Sequence, residues 1–465
     1  MENPQAAATE EQQDRPTGFL EVDAQLVEDM KALLEAGQRG MLLNILADLY
    51  PADVARLLTH LPPDEARRIF QWLPVEQAGE VLAESEDASR VALLEETHPA
   101  QITEIIDQLE TDDAVDVLAG LPDAVARQVL PGLEDVEDLR ELLGYAEDTA
   151  GGIMGTEYVD VPQDWTVAEA TEEVRRNAEA VEEIYGVFVH DAQGRLVGTV
   201  SLMRLMLSPA STLVADVMDA DLISVTTEVD QEEVARIMQR YDIITLPVVD
   251  REGRMVGRIT IDDVVDVIRE EAEEDIQLMS GVSGTEEHTD SIIRISRGRL
   301  PWLLTGLFGA GFSGLVIGTF EEGLAQAVVL AIFIPIVTAM GGNAAVQSAA
   351  IAVQGLSSGE LWANDVFKRL AKELAVALLN GAVLALLLST VVLIFGLGDV
   401  LRLAATVGLT MFSVIILATT NGALVPFALK RAGVDPASAM GPFVTTLNDI
   451  IGLTVYFLIA SAIYL

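Results

Sequence analysis

The pattern of apolar and polar positions changes character near residue 300. From Pro301 onward it consists of long apolar segments, near residues 301–320, 324–352, 373–396, 400–429 and 440–464. Each is long enough to cross a hydrocarbon core of about 30 Å, so five membrane helices are expected within residues 298–465. Before residue 300 the apolar positions come in short stretches at helical spacing. Several, such as Asp64 to Trp72, are closed by a Leu-Pro step, because the residue before a proline is pushed out of the α region. Residues 51–94 and 99–142 match at a constant offset of 48, pairing Pro51 with Pro99, Leu61 with Leu109, Asp64 with Asp112, Leu73 with Leu121 and Pro74 with Pro122. A fixed period of short amphipathic helices predicts a small helical stack, here residues 21–148, whose units bury one another's apolar faces. Residues 1–20 lack this pattern and are expected to be a disordered tail.

A second repeat follows at an offset of 59. Val187-Phe-Val-His-Asp191-Ala-Gln-Gly194-Arg-Leu-Val-Gly198 matches Leu246-Pro-Val-Val-Asp250-Arg-Glu-Gly253-Arg-Met-Val-Gly257. Each copy reads as strand, tight turn at Asp-x-x-Gly, strand and helix, and an amphipathic helix from Gln231 to Tyr241 precedes the second. The pair resembles tandem cystathionine-β-synthase-type (CBS) modules, expected at residues 149–212 and 213–261. Such modules sense ligands and regulate attached enzymes or transporters. Nucleotide-binding members carry Ser/Thr-x-x-Asp at the end of the last strand. Here the second copy has Thr260-Ile-Asp-Asp263 and the first has Ser201-Leu-Met-Arg204, a departure that weighs against a full adenine nucleotide site.

Charge sharpens the division. Of 73 acidic and 28 basic residues, 8 and 6 lie after Leu300, leaving 65 and 22 before it, so nearly all of the net −45 belongs to the first part. That balance repels phosphates, excludes nucleic acid as a partner, and suits multivalent cations or a salt-rich habitat. With no cysteine, disulfides and thiolate metal sites are excluded, and a reducing cytosol fits. No secretory signal is seen in the acidic amino terminus, which places the first 300 residues on the cytosolic side as an expectation. The densest acidic patch is Asp262-Asp-Val-Val-Asp266-Val-Ile-Arg-Glu270-Glu271-Ala-Glu273-Glu274-Asp275, expected within a connecting helix over residues 262–297. Asp263, Asp266, Glu270, Glu273 and Glu274 recur at three- and four-residue spacing, so several carboxylates share a face and destabilise the helix slightly. A plain solvated face is one reading of such a run; its place before the Arg-rich entry to the membrane favours a functional one.

Basic residues fall on every second loop of the membrane part: Arg294, Arg297 and Arg299, then Lys368, Arg369 and Lys372, then Lys430 and Arg431. The positive-inside rule then predicts a cytosolic amino terminus and an external carboxyl terminus, in the cell membrane. Within the last segment stands Asp449, whose carboxylate costs roughly 2.5 to 3.5 kcal/mol to insert and is expected to face a polar route. Thr445, Thr446 and Asn448 add neutral oxygens beside it, and no basic residue lies deep enough in the apolar segments to pair with it. Such a set suits a hard cation, and Mg²⁺ usually keeps several waters while using one or two carboxylates; Na⁺ or proton coupling stays open from this residue alone. Met340-Gly-Gly-Asn343-Ala-Ala-Val-Gln347-Ser and Thr419-Thr-Asn-Gly422 are explained equally by close helix packing.

A helical stack, two CBS modules, an acidic connecting helix and five membrane helices ending in Gly441-Pro442-Phe-Val-Thr445-Thr446-Leu-Asn448-Asp449 together resemble the MgtE-type magnesium channel family. The resemblance implies a multidomain fold: an α-helical repeat domain, tandem α/β CBS modules and an all-α bundle of five helices per subunit. It further implies a homodimer in the lipid bilayer, with a central pore from the second and fifth helices of both subunits and Asp449 holding hydrated Mg²⁺. Asn343, Gly441, Pro442, Thr445, Thr446 and Asn448 are then expected to line the pore. Cytosolic Mg²⁺ is implied to close it by binding Asp263, Asp266, Glu271, Glu274 and Asp275 on the connecting helix, Glu232 and Asp242 on the second CBS module, and Glu80, Asp112 and Asp116 on the helical stack.

Other classes fit less well. A CBS-bearing membrane metalloprotease needs a motif such as His-Glu-x-x-His on a membrane helix, but His60, His98, His190 and His288 all precede residue 300, so no enzyme is expected. A chloride channel needs cationic or dipolar coordination where this chain has a carboxylate. The nearest rival is an ion-coupled secondary transporter of divalent cations such as Mn²⁺ or Co²⁺.

Overall fold

The computed structural model describes residues 23–178, 181, 184–282, 292–357 and 366–465. The expected tail at residues 1–20 lies outside the described residues. Two compact units divide the chain, residues 1–265 and 266–465.

Among the described residues the first unit opens with ten short α-helices: α1 (Ala24–Glu35), α2 (Arg39–Ala47), α3 (Pro51–Thr59), α4 (Pro63–Phe70), α5 (Val75–Ala83), α6 (Asp87–Leu94), α7 (Pro99–Ile106), α8 (Thr111–Gly120), α9 (Asp123–Val129) and α10 (Val136–Leu142). Starts of α3, α4 and α5 recur 48 residues later as α7, α8 and α9, matching the sequence repeat. Proline sets these starts. Pro51, Pro63 and Pro99 occupy the first turn, where a missing N–H costs nothing, and the preceding residues are extended. Val54 and Leu57 of α3, Ile69 and Phe70 of α4, Val81 and Leu82 of α5, and Ile102, Ile105 and Ile106 of α7 are all buried, so each helix presents one apolar stripe to the stack.

Two modules of like topology follow. The first comprises β1 (Asp160–Pro162), α11 (Val167–Asn177), β2 (Gly186–His190), β3 (Leu196–Ser201) and α12 (Leu202–Leu207); the second has α13 (Val214–Val217), β4 (Val225–Thr226), α14 (Gln231–Tyr241), β5 (Thr245–Val249), β6 (Met255–Thr260) and α15 (Ile261–Met279). In each three-stranded sheet the middle strand pairs parallel to the first and antiparallel to the third. The Asp-x-x-Gly turns form as the sequence predicts. Asp191 Oδ1 accepts from the Gln193 and Arg195 N–H groups, Asp250 Oδ1 accepts from Glu252 and Arg254, and Gly194 and Gly253 supply the positive φ. Gly198 and Gly257, at matching places in the repeat, are required for close approach: a Cβ on Gly198 would lie 2.7 Å from the Asp219 carbonyl oxygen, and one on Gly257 2.9 Å from that of Gly155.

The second unit contains α16 (Ile292–Thr319), the short α17 (Glu321–Gln326), α18 (Ile334–Ser357) preceded by a 3₁₀ turn over Val328–Phe333, α19 (Val366–Phe395), α20 (Val400–Arg431) and α21 (Pro442–Ile463). Among the described residues, five helices are long and apolar enough to cross a membrane. α20 is the central one, packing against α18, α19 and α21, while α16 lies on α21. Two features differ from the sequence expectation. The acidic helix does not run to residue 297: α15 ends at Met279, Gly281 takes a positive φ that stops it, and residues 292–297 already belong to α16. The third membrane helix also starts seven residues before the apolar run, at Val366, which brings Arg369 inside it one turn before Glu373.

Candidate ion-binding sites

α18 and α21 border an open cleft of about 530 Å³. Thr338, Gly342, Asn343 and Gln347 of α18 reach it from one helical face, and Thr445 and Asp449, one turn apart, reach it from α21. Its polar lining consists of hydroxyls, amides and one carboxylate, and no Lys, Arg or His stands among the lining residues. Asp449 is half-buried. Oxygens of this kind favour a hard cation, and a cleft of this width leaves room for its water.

Neighbouring helices hold the walls in place. Asn448, expected in the pore lining, is instead buried and donates its side-chain N–H to the Gly341 carbonyl at 2.5 Å, tying α21 to α18. Thr446 is likewise diverted, its side chain filling the space where Gly309 of α16 lacks a Cβ. Gly441 also lies away from the cleft: a Cβ there would be 3.0 Å from the Cα of Gly281, just past the end of α15. Pro442 begins α21, and its side chain lies outside the described residues. Gly422 of α20 sits so close to the Ala345 backbone of α18 that a Cβ would overlap the carbonyl. Of the expected lining set, the cleft thus gathers Asn343, Thr445 and Asp449, and adds Thr338 and Gln347. Gln347 was legible one turn after Asn343; Thr338 had no local signal.

A second concentration of oxygens lies in the first unit, where the start of α8 meets the segment after Gly155 and the start of α15. Asp112 and Asp263 come together here, with Glu110, Asp113 and Glu157 beside them. Glu157 accepts from the Thr111 N–H at 2.9 Å and hydroxyl at 3.0 Å, Asp263 accepts from the Thr260 N–H at 3.0 Å and hydroxyl at 2.5 Å, and Arg258 donates to Glu110 at 3.3 Å. Burial, reinforced by Asp263 and Asp113, holds the Asp112 carboxyl well above the usual carboxylate range. Burial lifts Asp113 to about 7 against the pull of Arg90, and lifts Asp263 to about 6 against the two Thr260 donors. These are carboxylates held together with too little positive charge.

Family profiles match along the chain: the MgtE intracellular N domain at residues 49–148, CBS domains at 150–209 and 214–270, and the MgtE divalent cation transporter at 334–459. The magnesium transporter MgtE of Bacillus subtilis is 34% identical over 433 residues, covering 92% of this chain and 95% of its own. The chain belongs to the MgtE family of magnesium transporters. MgtE of Thermus thermophilus is 34% identical over 446 residues, covering 94% of this chain and 98% of its own. A crystal structure of the cytosolic domain of the Mg²⁺ channel MgtE in complex with ATP matches with 36% identity and a TM-score of 0.50, over 52% of this chain and 99% of that one.

Of the remaining acidic candidates, Asp116 stands near enough to Asp113 of the Asp112–Asp263 cluster to raise its carboxyl. Asp116 pairs with Arg90 at 3.3 Å and Glu232 with Arg236 at 3.5 Å; Glu80 is exposed on α5, and Asp242 ends α14 in the left-handed region. Asp266 pairs with Arg269 at 3.0 Å. Glu271 and Glu274 lie along α15 in the second unit, and Asp275 further along is half-buried, its carboxyl raised by burial and by Asp435, and bonded by Ser357. Among the described residues no group of three or more His, Asp or Glu has metal-holding geometry. The end of α15 is apolar: Leu278 and Met279 pack against Ala349, Val353, Ala437 and Met440.

Sequence reasoning missed two features of this MgtE chain. Glu373 on α19 accepts from the Ser348 hydroxyl of α18 at 2.9 Å and pairs with Arg369, and the signal was their four-residue spacing at the edge of an apolar run. The other is a cleft of about 480 Å³ at the first CBS module, where Thr199, Ser201 and Arg204, with Asp219 from the start of the second module, meet the apolar Met203 and Leu207.

Proposed function

We propose that this chain carries hydrated Mg²⁺ across the membrane into the cytosol along the cleft between α18 and α21. The observation that supports this most is Asp449, an intramembrane carboxylate at a cleft lined by neutral oxygens and no basic side chain. An acid so placed is costly unless an ion or water compensates it. A second copy of the chain in a homodimer would set two such carboxylates around one wet cation, which fits the few carboxylates Mg²⁺ uses. The alternation of basic loops supports an amino terminus on the cytosolic side. The test is Mg²⁺ influx into proteoliposomes for the native chain and Asp449→Asn. Loss of most flux is expected; native flux with native preference for Mg²⁺ over Co²⁺ rejects the reading. Single-channel currents at fixed voltage separate a channel from an ion-coupled transporter.

Regulation rests on the carboxylates. With little internal Mg²⁺, acidic faces repel over a Debye length of about 8 Å, and a divalent ion bound between them rewards only the compact arrangement. Negative feedback follows, with the Asp112–Asp263 cluster as its centre and Asp266, Glu271, Glu274 and Asp275 continuing it along α15. Flux that stays constant across internal Mg²⁺ concentrations would reject it.

A second ligand is favoured by the cleft of the first CBS module. Arg204 replaces the carboxylate of the Ser/Thr-x-x-Asp pattern, but Asp219 stands at the same cleft and offers a ribose acceptor while Arg204 offers a phosphate donor. The relative crystallised with ATP makes an adenine nucleotide the ligand to test.

A further inference from the structure

Glu373 is a charged side chain in a membrane helix, with 10% of its side-chain surface exposed, and it does not reach the cleft. One oxygen pairs with Arg369 and the other accepts the Ser348 hydroxyl of α18 at 2.9 Å. Ser348 is itself buried. Arg369 Nε is buried with no hydrogen-bond partner among the described residues, so the pair is incompletely satisfied. Buried ion pairs stabilise poorly compared with apolar packing. What this one supplies is direction. Ser348 lies roughly 100° around α18 from Gln347 and roughly 140° from Asn343, on the flank away from the cleft. A fixed bond there restrains the rotation of the helix that carries both amides on its cleft side. The bond from Asn448 to the Gly341 carbonyl holds the same helix two turns earlier. Gly422 packs on its Ala345 backbone between these two points, and the Ser348–Glu373 link adds a polar restraint with a fixed direction.

We infer that Glu373, held by Arg369, is a positioning residue that fixes the rotation of α18 through Ser348 and so aims Asn343 and Gln347 at the passing ion. This rests on the reading of the cleft as the ion pathway. The test uses the full-length chain in proteoliposomes, with Mg²⁺ and Co²⁺ fluxes measured separately and thermal melting in detergent as the folding control. Ser348→Ala removes one hydroxyl and leaves the ion pair intact. It should melt like the native protein yet change the Mg²⁺/Co²⁺ flux ratio by roughly 2- to 30-fold, the range for residues that act through packed neighbours. Glu373→Gln keeps an acceptor for Ser348 and strands the Arg369 charge, so it should melt earlier while its flux ratio stays nearer to native than that of Ser348→Ala. If Glu373→Gln does not fold, Ser348→Ala decides alone. A folded Ser348→Ala protein with native fluxes and a native ratio overturns the inference. Asp449→Asn, measured alongside, separates the two readings: if it blocks flux while Ser348→Ala is silent, only the positioning role fails, and if it conducts normally the pathway itself is wrong.

Discussion

Replacing Asp263 by asparagine should stabilise the first unit at neutral pH when divalent cations are absent. In the unfolded chain this carboxyl ionises near its ordinary 3.8, whereas burial holds it at about 6 in the folded one. Between those values the unfolded state has released its proton and the folded state has kept it. The unfolded state therefore binds fewer protons, and stability falls as pH rises through the window. Below pH 4 the loss is absent and above pH 6 it is complete, amounting to ~3 kcal/mol for about 2 pH units at about 1.4 kcal/mol each. Asparagine keeps an acceptor for Thr260 and carries no charge, so up to that amount should be recovered at pH 7.5. Asp113, held at about 7, and Asp112 titrate together with Asp263, so substitutions within the cluster will not add. The assay is urea unfolding of residues 1–279 in EDTA at pH 4.5 and 7.5, native against variant; a homologous cytosolic domain crystallised alone makes the fragment reasonable. Saturating Mg²⁺ should restore the native fragment at pH 7.5 and help the variant less. Identical pH dependence in native and variant fragments would refute the reasoning.

Three further outcomes are expected. Gly422→Ala should force α18 from α20, because the new Cβ meets the Ala345 carbonyl, at about 1 to 3 kcal/mol; a native melting temperature in detergent would count against that contact. Tyr456→Phe should cost about 1 to 3 kcal/mol by leaving the buried Leu330 carbonyl, now bonded at 2.7 Å, without its donor, as read by thermal melting. Arg204→Ala and Asp219→Ala should each weaken ATP binding at least about tenfold by calorimetry, since charge-assisted bonds are the strong ones; native affinity in both would move the nucleotide elsewhere.

The repeats were readable because their physics is local. Proline in a first helical turn, Asp-x-x-Gly turns and the Val-Gly steps all state their conformation within a few residues, and α14 spans the same Gln231 to Tyr241 seen in the pattern. The apolar runs showed which helices are long enough to span a membrane. They misplaced the starts of α16 and α19, because charged residues there remain helical although they are not apolar. Site residues were legible by type and not by direction. Thr446 carries the same hydroxyl as Thr445 and Asn448 a comparable neutral oxygen, yet α16 takes up the first and the Gly341 carbonyl holds the second, and only packing decides that. Asp112 and Asp263 stand 151 positions apart in the numbering, so nothing short of the fold could join them.

The contact between Gly281 and Gly441 leaves no side chain between two stretches of main chain, one at the end of the acidic helix and one at the start of the helix that carries Asp449. Side chains at a joint act as springs that absorb small displacements by changing rotamer. Here main chain meets main chain with no room for a Cβ, so any larger residue at Gly441 would press the start of one helix away from the end of the other.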